Sequence, residues 1–575
     1  MGIKHAFWWF KNEFGENMLP IKKGEKFDNK KIIVDNLMVD MNGVFHNSAQ
    51  KIYEYGNFKV PPRLLQKRNL SKKIYGFKAQ LKLFEDVCET IEKLFATVNP
   101  KKRLILCVDG PAPLSKQNQQ RQRRFRSAME QEKECSFNSN CITPGTKFMD
   151  YLSKYIDWYI HKRINEDPKW QNVQVIFSNE KAPGEGEHKI INYIRYYGDY
   201  NETYCINGLD ADLIMLALGT HIPKFYILRE DLYKSNNDFF CIDVGAIHDK
   251  LAEKLRWEEK KHKFDTTTAI NDFIFLCFMV GNDFLPHIPS IEIIENGIEL
   301  ILEVYRETGT AYGHITHLVS GRVQFLTKSL CAFLGTIGFY EKTNFENKMG
   351  KKKSFFPDPL LNSCSSQDSD GKWSVDIEKY KKDYYDTCFP KDINVETLCH
   401  EYLEGMQWVL SYYTRGVPNW KWHFPYHYAP CASSLSKYIN TFKSPHYGRT
   451  IPSTPFQQLL CVLPPKSAYL IPEPLCNLLT EDSSPLKEHC PEEFKIDLSG
   501  KRKEWEGIVI LPMVEFNLVL KCYLENLDKI DSKESKRNIT GRSFVYKYIP
   551  TLPGVFRSYY GDLERCCVRT ELFDL

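Results

Sequence analysis

Apolar and polar positions alternate along the first half of the chain in a pattern typical of a parallel α/β fold. Short apolar runs predict buried strands, and longer segments with helical periodicity separate them. The predicted strands are KIIVDNLMVD, which ends at Asp40, RLILCVDG, which ends beside Asp109, and the segments 173–178, 203–206 and 224–230. Helices are predicted over 77–95, from Ser115 onward, over 145–165 and after Glu187. This alternation predicts a mainly parallel sheet flanked by helices.

The second half of the chain is mostly helical in its pattern. A long helix is predicted over TTTAINDFIFLCFMVGNDFLPHIP, with Asp283 near its end, after Gly281. Residues 346–372 are rich in Lys, Ser and Asp, which is typical of a linker or an exposed insertion. We therefore expect a region 1–345 that carries the acidic residues, and a mostly helical region 373–575 packed round it.

Two acidic pairs stand where predicted elements meet. Glu185 and Glu187 lie between glycines in PGEGEHK, and Asp210 and Asp212 follow a strand and open a helix in GLDADLIM. The glycines let the backbone turn sharply, so both carboxylates of the first pair can point to one place. Carboxylates brought together repel one another, and Mg²⁺ or Mn²⁺ in an all-oxygen site is the usual remedy. One such pair is typical of a solvated turn, but two pairs within 28 positions favour a metal site.

Two predicted strands also end in an acid, Asp40 and Asp109. Open parallel sheets place their functional groups at the carboxyl ends of the strands. For Asp40 alone, a helix N-cap explains the residue equally well.

A polar and basic face follows Asp109. Lys116, Gln120, Arg123, Arg124 and Ser127 are spaced so that they share one side of a helix. A basic run is in general a solvated face. This one begins seven residues after Asp109, which favours a phosphate pocket beside the metals.

An aromatic run, NWKWHFPYHYAP, occupies residues 419–430. Such residues form either packed interior or platforms for stacked bases, and the sequence alone favours the interior. A metal pair made by His423 and His427 is rejected, because Pro425 breaks the helix that this spacing needs.

Composition limits the class of protein. The 575 residues are 42% hydrophobic and 14% aromatic, which excludes a disordered chain. The net charge of +4 is small, so any surface for nucleic acid must be local. The 18 cysteines form no C-x-x-C pair, and we expect them to be reduced thiols of an intracellular protein without a membrane span.

Seven stretches together resemble the XRN family of 5′→3′ exoribonucleases. In the family's order they are VDMNGVFH, VDGPAPLSKQNQQRQRRF, APGEGEHKI, GLDADLIML, VGNDFLPHIP, EGMQWVLSYYTRGVPNWKWHFPYHYAP and EFKIDLSGKRKEWEGIVILP. The resemblance implies a PIN/FEN-like α/β nuclease core, and a second conserved region that completes the active-site pocket.

The resemblance also implies a role for each site residue. It assigns two Mg²⁺ ions, with Mn²⁺ as a substitute, to seven catalytic acids: Asp40, Asp109, Glu185, Glu187, Asp210, Asp212 and Asp283. It assigns a 5′-monophosphate pocket to four residues of the basic face: Lys116, Gln120, Arg123 and Arg124. His46 would stack on the 5′-terminal base with either Trp420 or Trp422, and spacing does not decide between the two tryptophans.

The function expected from these residues is processive degradation of 5′-monophosphorylated, decapped single-stranded RNA to mononucleotides by two-metal hydrolysis. We expect a monomer that is coupled functionally to a decapping enzyme, in the cytoplasm rather than the nucleus. The alternative is a flap or 5′ nuclease that acts on DNA with the same acidic set. A non-enzymatic RNA-binding scaffold would have lost some of the seven acids, and none is missing.

Overall fold

A nine-stranded sheet lies at the centre of the molecule, which a computed structural model describes over residues 3, 5–22, 24–58, 76–130, 137–230, 239–351 and 356–575. In chain order the strands are β1 Met18–Ile21, β2 Asn36–Asp40, β3 Arg103–Cys107, β4 Gln174–Ser178, β5 Tyr204–Asn207, β6 Phe225–Glu230, β7 Phe239–Asp243, β8 Thr316–Val319, β9 Arg322–Phe325, β10 Ser365–Gln367, β11 Trp373–Val375, β12 Lys495–Asp497, β13 Ile508–Ile510, β14 Ser543–Tyr548, β15 Gly554–Phe556, β16 Leu563–Cys566 and β17 Val568–Phe573.

The sheet order is β1-β7-β6-β5-β2-β3-β4-β14-β17. The five central strands, from β6 to β4, are parallel to one another. Two antiparallel strands extend the sheet at each edge. Because the central strands are parallel, the residues that follow β2, β3, β4 and β5 meet at one edge of the sheet.

Helices cover both faces of the central strands. Leu37 and Val39 of β2 belong to one hydrophobic core and Met38 to a second, and all three are fully buried. A strand that is buried on both faces explains why its sequence reads as a continuous apolar run. The α/β fold with a mainly parallel core, predicted from the sequence, is confirmed.

The helices of the first half alternate with the strands. They are α1 Ala6–Phe14, α2 Met41–Tyr53, α3 Phe77–Val98, α4 Leu114–Glu130, α5 Lys147–Glu166, α6 Pro168–Gln171, α7 Gly186–Tyr197, α8 Asp212–Leu218 and α9 Val244–Leu255. The predicted helices after Asp109 and after Glu187 are therefore present as α4 and α7.

The second half is mainly helical and packs round this core. Its helices are α10 Thr266–Cys277, α11 Gly297–Tyr312, α12 Thr327–Gly350, α13 Pro359–Ser363, α14 Ile377–Cys388, α15 Val395–Thr414, α16 Ala432–Tyr438, α17 Pro455–Val462, α18 Glu473–Thr480, α19 Phe516–Leu524 and α20 Ser532–Ser535. Within the range 346–372, the structure has the end of α12, all of α13 and the strand β10, and Leu361 is buried.

One predicted helix was too long. The helix that begins at Thr266 ends at Cys277, and a single 3₁₀ turn then leads to Gly281. Gly281 has a φ of 87°, a conformation that glycine adopts without strain and that ends the helix. Asp283 therefore lies in the loop that follows and not in the helix.

The end of the chain contributes to the central sheet. Strand β14 pairs with β4, and β17 pairs with β14. Nothing in the sequence pattern predicted that these two strands would extend the sheet of the first half, since their partner β4 lies more than 360 residues earlier.

Candidate active site

Asp40 and Asp109 lie at the carboxyl ends of neighbouring strands. Asp40 is the last residue of β2 and the N-cap of α2, where its carboxylate accepts a 3.4 Å hydrogen bond from the Asn42 amide. Asn42 connects the two acids, because its backbone amide bonds to Asp40 while its side-chain Nδ2 donates to Asp109 Oδ2 at 2.9 Å and its Oδ1 accepts from the Asp109 amide at 3.0 Å. The N-cap and site roles of Asp40 are thus compatible.

Gly186 brings the first acidic pair close to these aspartates. Its amide donates to Asp109 Oδ1 at 2.7 Å. A Cβ atom at this position would lie 2.6 Å from Asp40 Oδ1 and 3.0 Å from the carbonyl oxygen of Cys107. Only glycine lets the start of α7 approach the ends of β2 and β3 so closely.

Glu185 is held from two sides. Lys116 of α4 forms an ion pair with Glu185 Oε2, and the Tyr412 hydroxyl of α15 donates to Glu185 Oε1 at 2.8 Å. The Tyr412 ring in turn stacks on His188, with 3.7 Å between ring centroids. A helix of the second half of the chain therefore orients a carboxylate of the first half.

Glu187 and Asp212 are buried with little compensation. Glu187 Oε2 has no hydrogen-bond partner within the described residues, and burial raises the pKa of Glu187 well above its usual value. Asp212 accepts from the Ile3 amide at 2.8 Å. Burial, and then repulsion from Asp283, raises the pKa of Asp212 to about 7.

Asp210 and Asp283 complete the acidic set. Asp210 follows β5 and lies near enough to Asp40 and Glu187 to raise the pKa of each, after the larger effect of burial. Asp283 lies 2.7 Å from Lys116 Nζ. Burial opposes ionisation of Asp283, but the attraction of Lys116 prevails and lowers its pKa to about 2.

The basic face of α4 is largely enclosed. Lys116, Gln120 and Arg124 are buried, whereas Arg123 is exposed. Gln120 Oε1 and Arg124 Nε have no hydrogen-bond partner among the described residues. Arg124 also donates to the Thr143 hydroxyl. Lys116 contacts the acids, while the other three side chains lie one to two turns further along the helix.

The aromatic residues lie beside this helix in different settings. Trp422 stacks on Trp408, with 5.1 Å between centroids, and is packed against the core. Trp420 is partly buried, and its carbonyl oxygen accepts from the Leu114 amide at the start of α4. His46 lies on α2. Burial, then the charges of Arg123 and Arg124, lowers the pKa of His46 to about 3.

A model of the "XRN 5'-3' exonuclease N-terminus" matches residues 1–231, and a model of the "Xrn1 helical domain" matches residues 263–372 and 362–551. Together these matches cover most of the chain. The chain belongs to the XRN 5′-3′ exonuclease family.

Curated XRN relatives match over most of the sequence. The chain is 28% identical to 5'-3' exoribonuclease 1 of Saccharomyces cerevisiae, covering 92% of this chain and 44% of the relative. It is 30% identical to 5'-3' exoribonuclease 1 of Homo sapiens, covering 94% and 36%, and 29% identical to 5'-3' exoribonuclease 2 homolog of Drosophila melanogaster, covering 93% and 70%. The chain spans less than half the length of the first two relatives.

A solved structure of the catalytic core of Rad2 in complex with DNA substrate overlaps 76% of this chain and 98% of its own chain, with a TM-score of 0.32 and 15% identity. That likeness is too low to bear on function.

The acidic set of this XRN chain suits divalent cations by its chemistry. All seven side chains are oxygen donors, and Glu187 Oε2 is a buried acceptor that nothing in the described chain satisfies. Within the described ranges, no three potential ligands converge on one point as a formed coordination shell would require. Lys116 lies among the acids and supplies positive charge there.

Two residues of the site were missed from the sequence. Asn42 and Tyr412 both bond to proposed ligands, but neither lies in an acidic or basic pattern. Asn42 sits two residues after Asp40 within VDMNGVFH, which is the one local signal that could have indicated it.

Proposed function

We propose that this chain is a 5′→3′ exoribonuclease that releases mononucleotides from 5′-monophosphorylated single-stranded RNA, with two Mg²⁺ ions held by the seven acids. The observation that best supports this proposal is the position of Lys116. It contacts Glu185 and Asp283, and it begins the face of α4 that carries Gln120, Arg123 and Arg124. At 1.5 Å per residue, these side chains follow Lys116 by about 6 to 12 Å, which is the scale of one nucleotide.

The protein's own residues have distinct tasks in this scheme. Bound metal ions would polarise the scissile phosphate and activate water. Asn42 and Tyr412 orient the carboxylates, while Lys116 offsets their charge. Lys189, buried beneath them, donates to the carbonyl oxygens of Val108 and Asn179, and burial lowers its pKa to about 8.

The 5′-phosphate pocket is supported by unsatisfied donors and acceptors. A terminal phosphate would supply partners for Arg124 Nε and, after rotation of the amide, for Gln120. A pocket closed around a single phosphate would exclude a cap, so a monophosphate is the expected end group. Decapping produces that end, which makes functional coupling to a decapping enzyme part of the proposal.

Base stacking is proposed for His46 and Trp420. His46 has a low pKa and is neutral at physiological pH, so it offers a flat ring rather than a charge. Trp420 is preferred to Trp422, because the Trp422 ring already stacks on Trp408. Stacking does not depend on base identity, as a processive degrader requires.

The chain is further proposed to act as a monomer in the cytoplasm. No helix in the described ranges has the length and apolar character needed to cross a bilayer.

One substrate series tests the proposal. The same RNA would be offered with 5′-hydroxyl, 5′-monophosphate, 5′-triphosphate or cap, in Mg²⁺, in Mn²⁺ and in EDTA, beside matched single-stranded and flap DNA. We expect mononucleotide release from the 5′-monophosphorylated RNA alone, and none in EDTA. Faster cleavage of flap DNA would favour the DNA nuclease instead, and activity in EDTA would exclude the metal mechanism.

A further inference from the structure

Two tryptophans outside the predicted stacking run are exposed. Trp8 of α1 is 62% exposed and Trp505 is 52% exposed, whereas every other tryptophan in the described part of the chain is buried or half-buried. Large aromatic side chains in water commonly mark a binding surface. The Trp505 ring lies beside His5, with 5.5 Å between the ring centroids. Trp8 lies three residues after His5, in the first turn of α1.

The turn that carries Trp505 is firmly organised. Glu506 is buried, and its Oε2 accepts from the backbone amides of Arg502 at 2.9 Å and Lys503 at 3.2 Å. Its other oxygen, Oε1, lies 3.1 Å from His5 Nε2. One carboxylate therefore connects this turn to the start of α1 and presents Trp505 in a defined position.

The same surface adjoins both halves of the candidate active site. The Ile3 amide donates to Asp212, and His5 is only two residues further, within about 8 Å of chain. On the other side, Arg126 Nη2 donates to the carbonyl oxygen of Glu504 at 2.6 Å. Arg126 lies on α4 two residues after Arg124, so the turn that carries Trp505 contacts the helix that holds the phosphate-binding residues.

Charge indicates the occupant of this surface. Lys501, Arg502 and Lys503 precede Trp505, with Glu504 between; Arg502 is paired with Glu295, and Lys503 is exposed. Aromatic rings interleaved with positive charge are the usual means of binding single-stranded nucleic acid. We propose that Trp505 and His5 form a second stacking platform, which holds the bases of the RNA substrate a few nucleotides 3′ of the scissile phosphate. This inference rests on the proposed function.

Binding of RNAs of two lengths tests the platform in a nuclease-deficient Asp210→Asn background. The ligands are an unstructured 5′-monophosphorylated 20-mer and a 5′-monophosphorylated dinucleotide, which is too short to reach Trp505. Adding Trp505→Ala should raise the Kd of the 20-mer by about 5- to 100-fold and leave the dinucleotide unchanged. Trp505→Phe keeps a flat ring and should restore most of the affinity.

Phe339→Ala is the matched control, since Phe339 is 80% exposed on α12 and belongs to no part of this surface. An unchanged Kd for the 20-mer in Trp505→Ala would overturn the platform, and so would equal weakening of both ligands. If the chain with Asp210 intact released no mononucleotides while Trp505→Ala still weakened the 20-mer selectively, the platform would stand and the proposed activity would fail.

Discussion

Burial makes the carboxylates of this site chemically unusual. Asp40, Glu187 and Asp212 have raised pKa values because few charges or donors replace the water that they lost on folding. Asp283 has a low pKa because Lys116 is beside it. Aspartates within one site thus differ in pKa, and the difference comes from their neighbours and not from residue type.

The raised pKa of Asp212 predicts a pH dependence of stability in EDTA. Its pKa is about 7 in the folded chain against an ordinary 3.8, so the folded state holds a proton that the unfolded state has lost. The stability from this group is complete below the unfolded pKa and is lost as pH rises through about 7. Between pH 6 and 8, the Tm should fall by roughly 1–3 °C more in the wild type than in Asp212→Asn. Identical slopes for the two proteins would show that Asp212 is already ionised.

Tyr412 predicts an effect on metal affinity. Tyr412→Phe keeps the ring on His188 and removes only the hydrogen bond to Glu185, which costs about 1.5–3 kcal/mol for a bond to a charged group. Calorimetry should show Mn²⁺ binding weakened by about 10- to 100-fold.

Tyr384→Phe is the control for Tyr412→Phe. Tyr384 lies on α14 and loses a hydrogen bond to the carbonyl oxygen of Ala429, in a part of the chain that carries none of the seven acids. Equal Mn²⁺ affinities in the two variants would show that Tyr412 has no part in holding the metal.

At the scale of elements, the site depends on how closely strand ends and helix starts approach. Helix α7 begins at Gly186 against the ends of β2 and β3, and α8 begins at Asp212 just after β5. Acids in the first turn of a helix are favoured by its dipole, which partly offsets their mutual repulsion. The starts of α7 and α8 therefore both position the acids and partly offset the repulsion between them.

Gly186→Ala should disrupt this junction. The added Cβ would lie 2.6 Å from Asp40 Oδ1, so α7 or β2 must move. We expect a loss of about 1–3 kcal/mol in the free energy of unfolding, by analogy with overpacked cores, and a larger proportional loss of activity. Urea denaturation and initial rates measure the two effects. Gly43→Ala in α2 is the control, because its Cβ meets nothing within 4 Å and alanine favours the helix. Gly186→Ala with native stability and rate would show that the junction can relax.

At the scale of the whole molecule, the two halves of the chain are interdependent. Tyr412 reaches from the helical half to Glu185, Trp420 meets the start of α4, and β14 pairs with β4. Neither half would keep its own surface intact without the other, so we expect one cooperative unit around the sheet.

Tyr546 tests this integration far from the acids. Its buried ring and its 2.7 Å hydrogen bond to Asp157 attach β14 to α5. Tyr546→Ala should lower the free energy of unfolding by about 3–5 kcal/mol, as the loss of a buried aromatic does, without changing the Mg²⁺ concentration for half-maximal activity. Lys547→Ala, exposed on the same strand, should do neither. A changed Mg²⁺ requirement in Tyr546→Ala at a temperature where it is folded would mean that β14 also shapes the site.

The sequence by itself determined the parallel strands, most of the helices and the family. Those features depend on local sequence. A strand that is buried on both faces is apolar along its whole length, and acids between glycines are recognisable from the sequence alone. It also identified each of the seven acids and the residues of α4, although their roles as ligands and phosphate contacts remain predictions.

Only the tertiary structure decided which distant residues meet. It ended the helix before Asp283, because the positive φ of Gly281 depends on packing. It brought Tyr412 to Glu185 across 227 positions, and β14 to β4. It also packed Trp422 against the core, where its ring stacks on Trp408, and left Trp505 exposed. Such contacts form between segments that lie far apart in the sequence. The local pattern of one segment does not indicate which other segment it will contact.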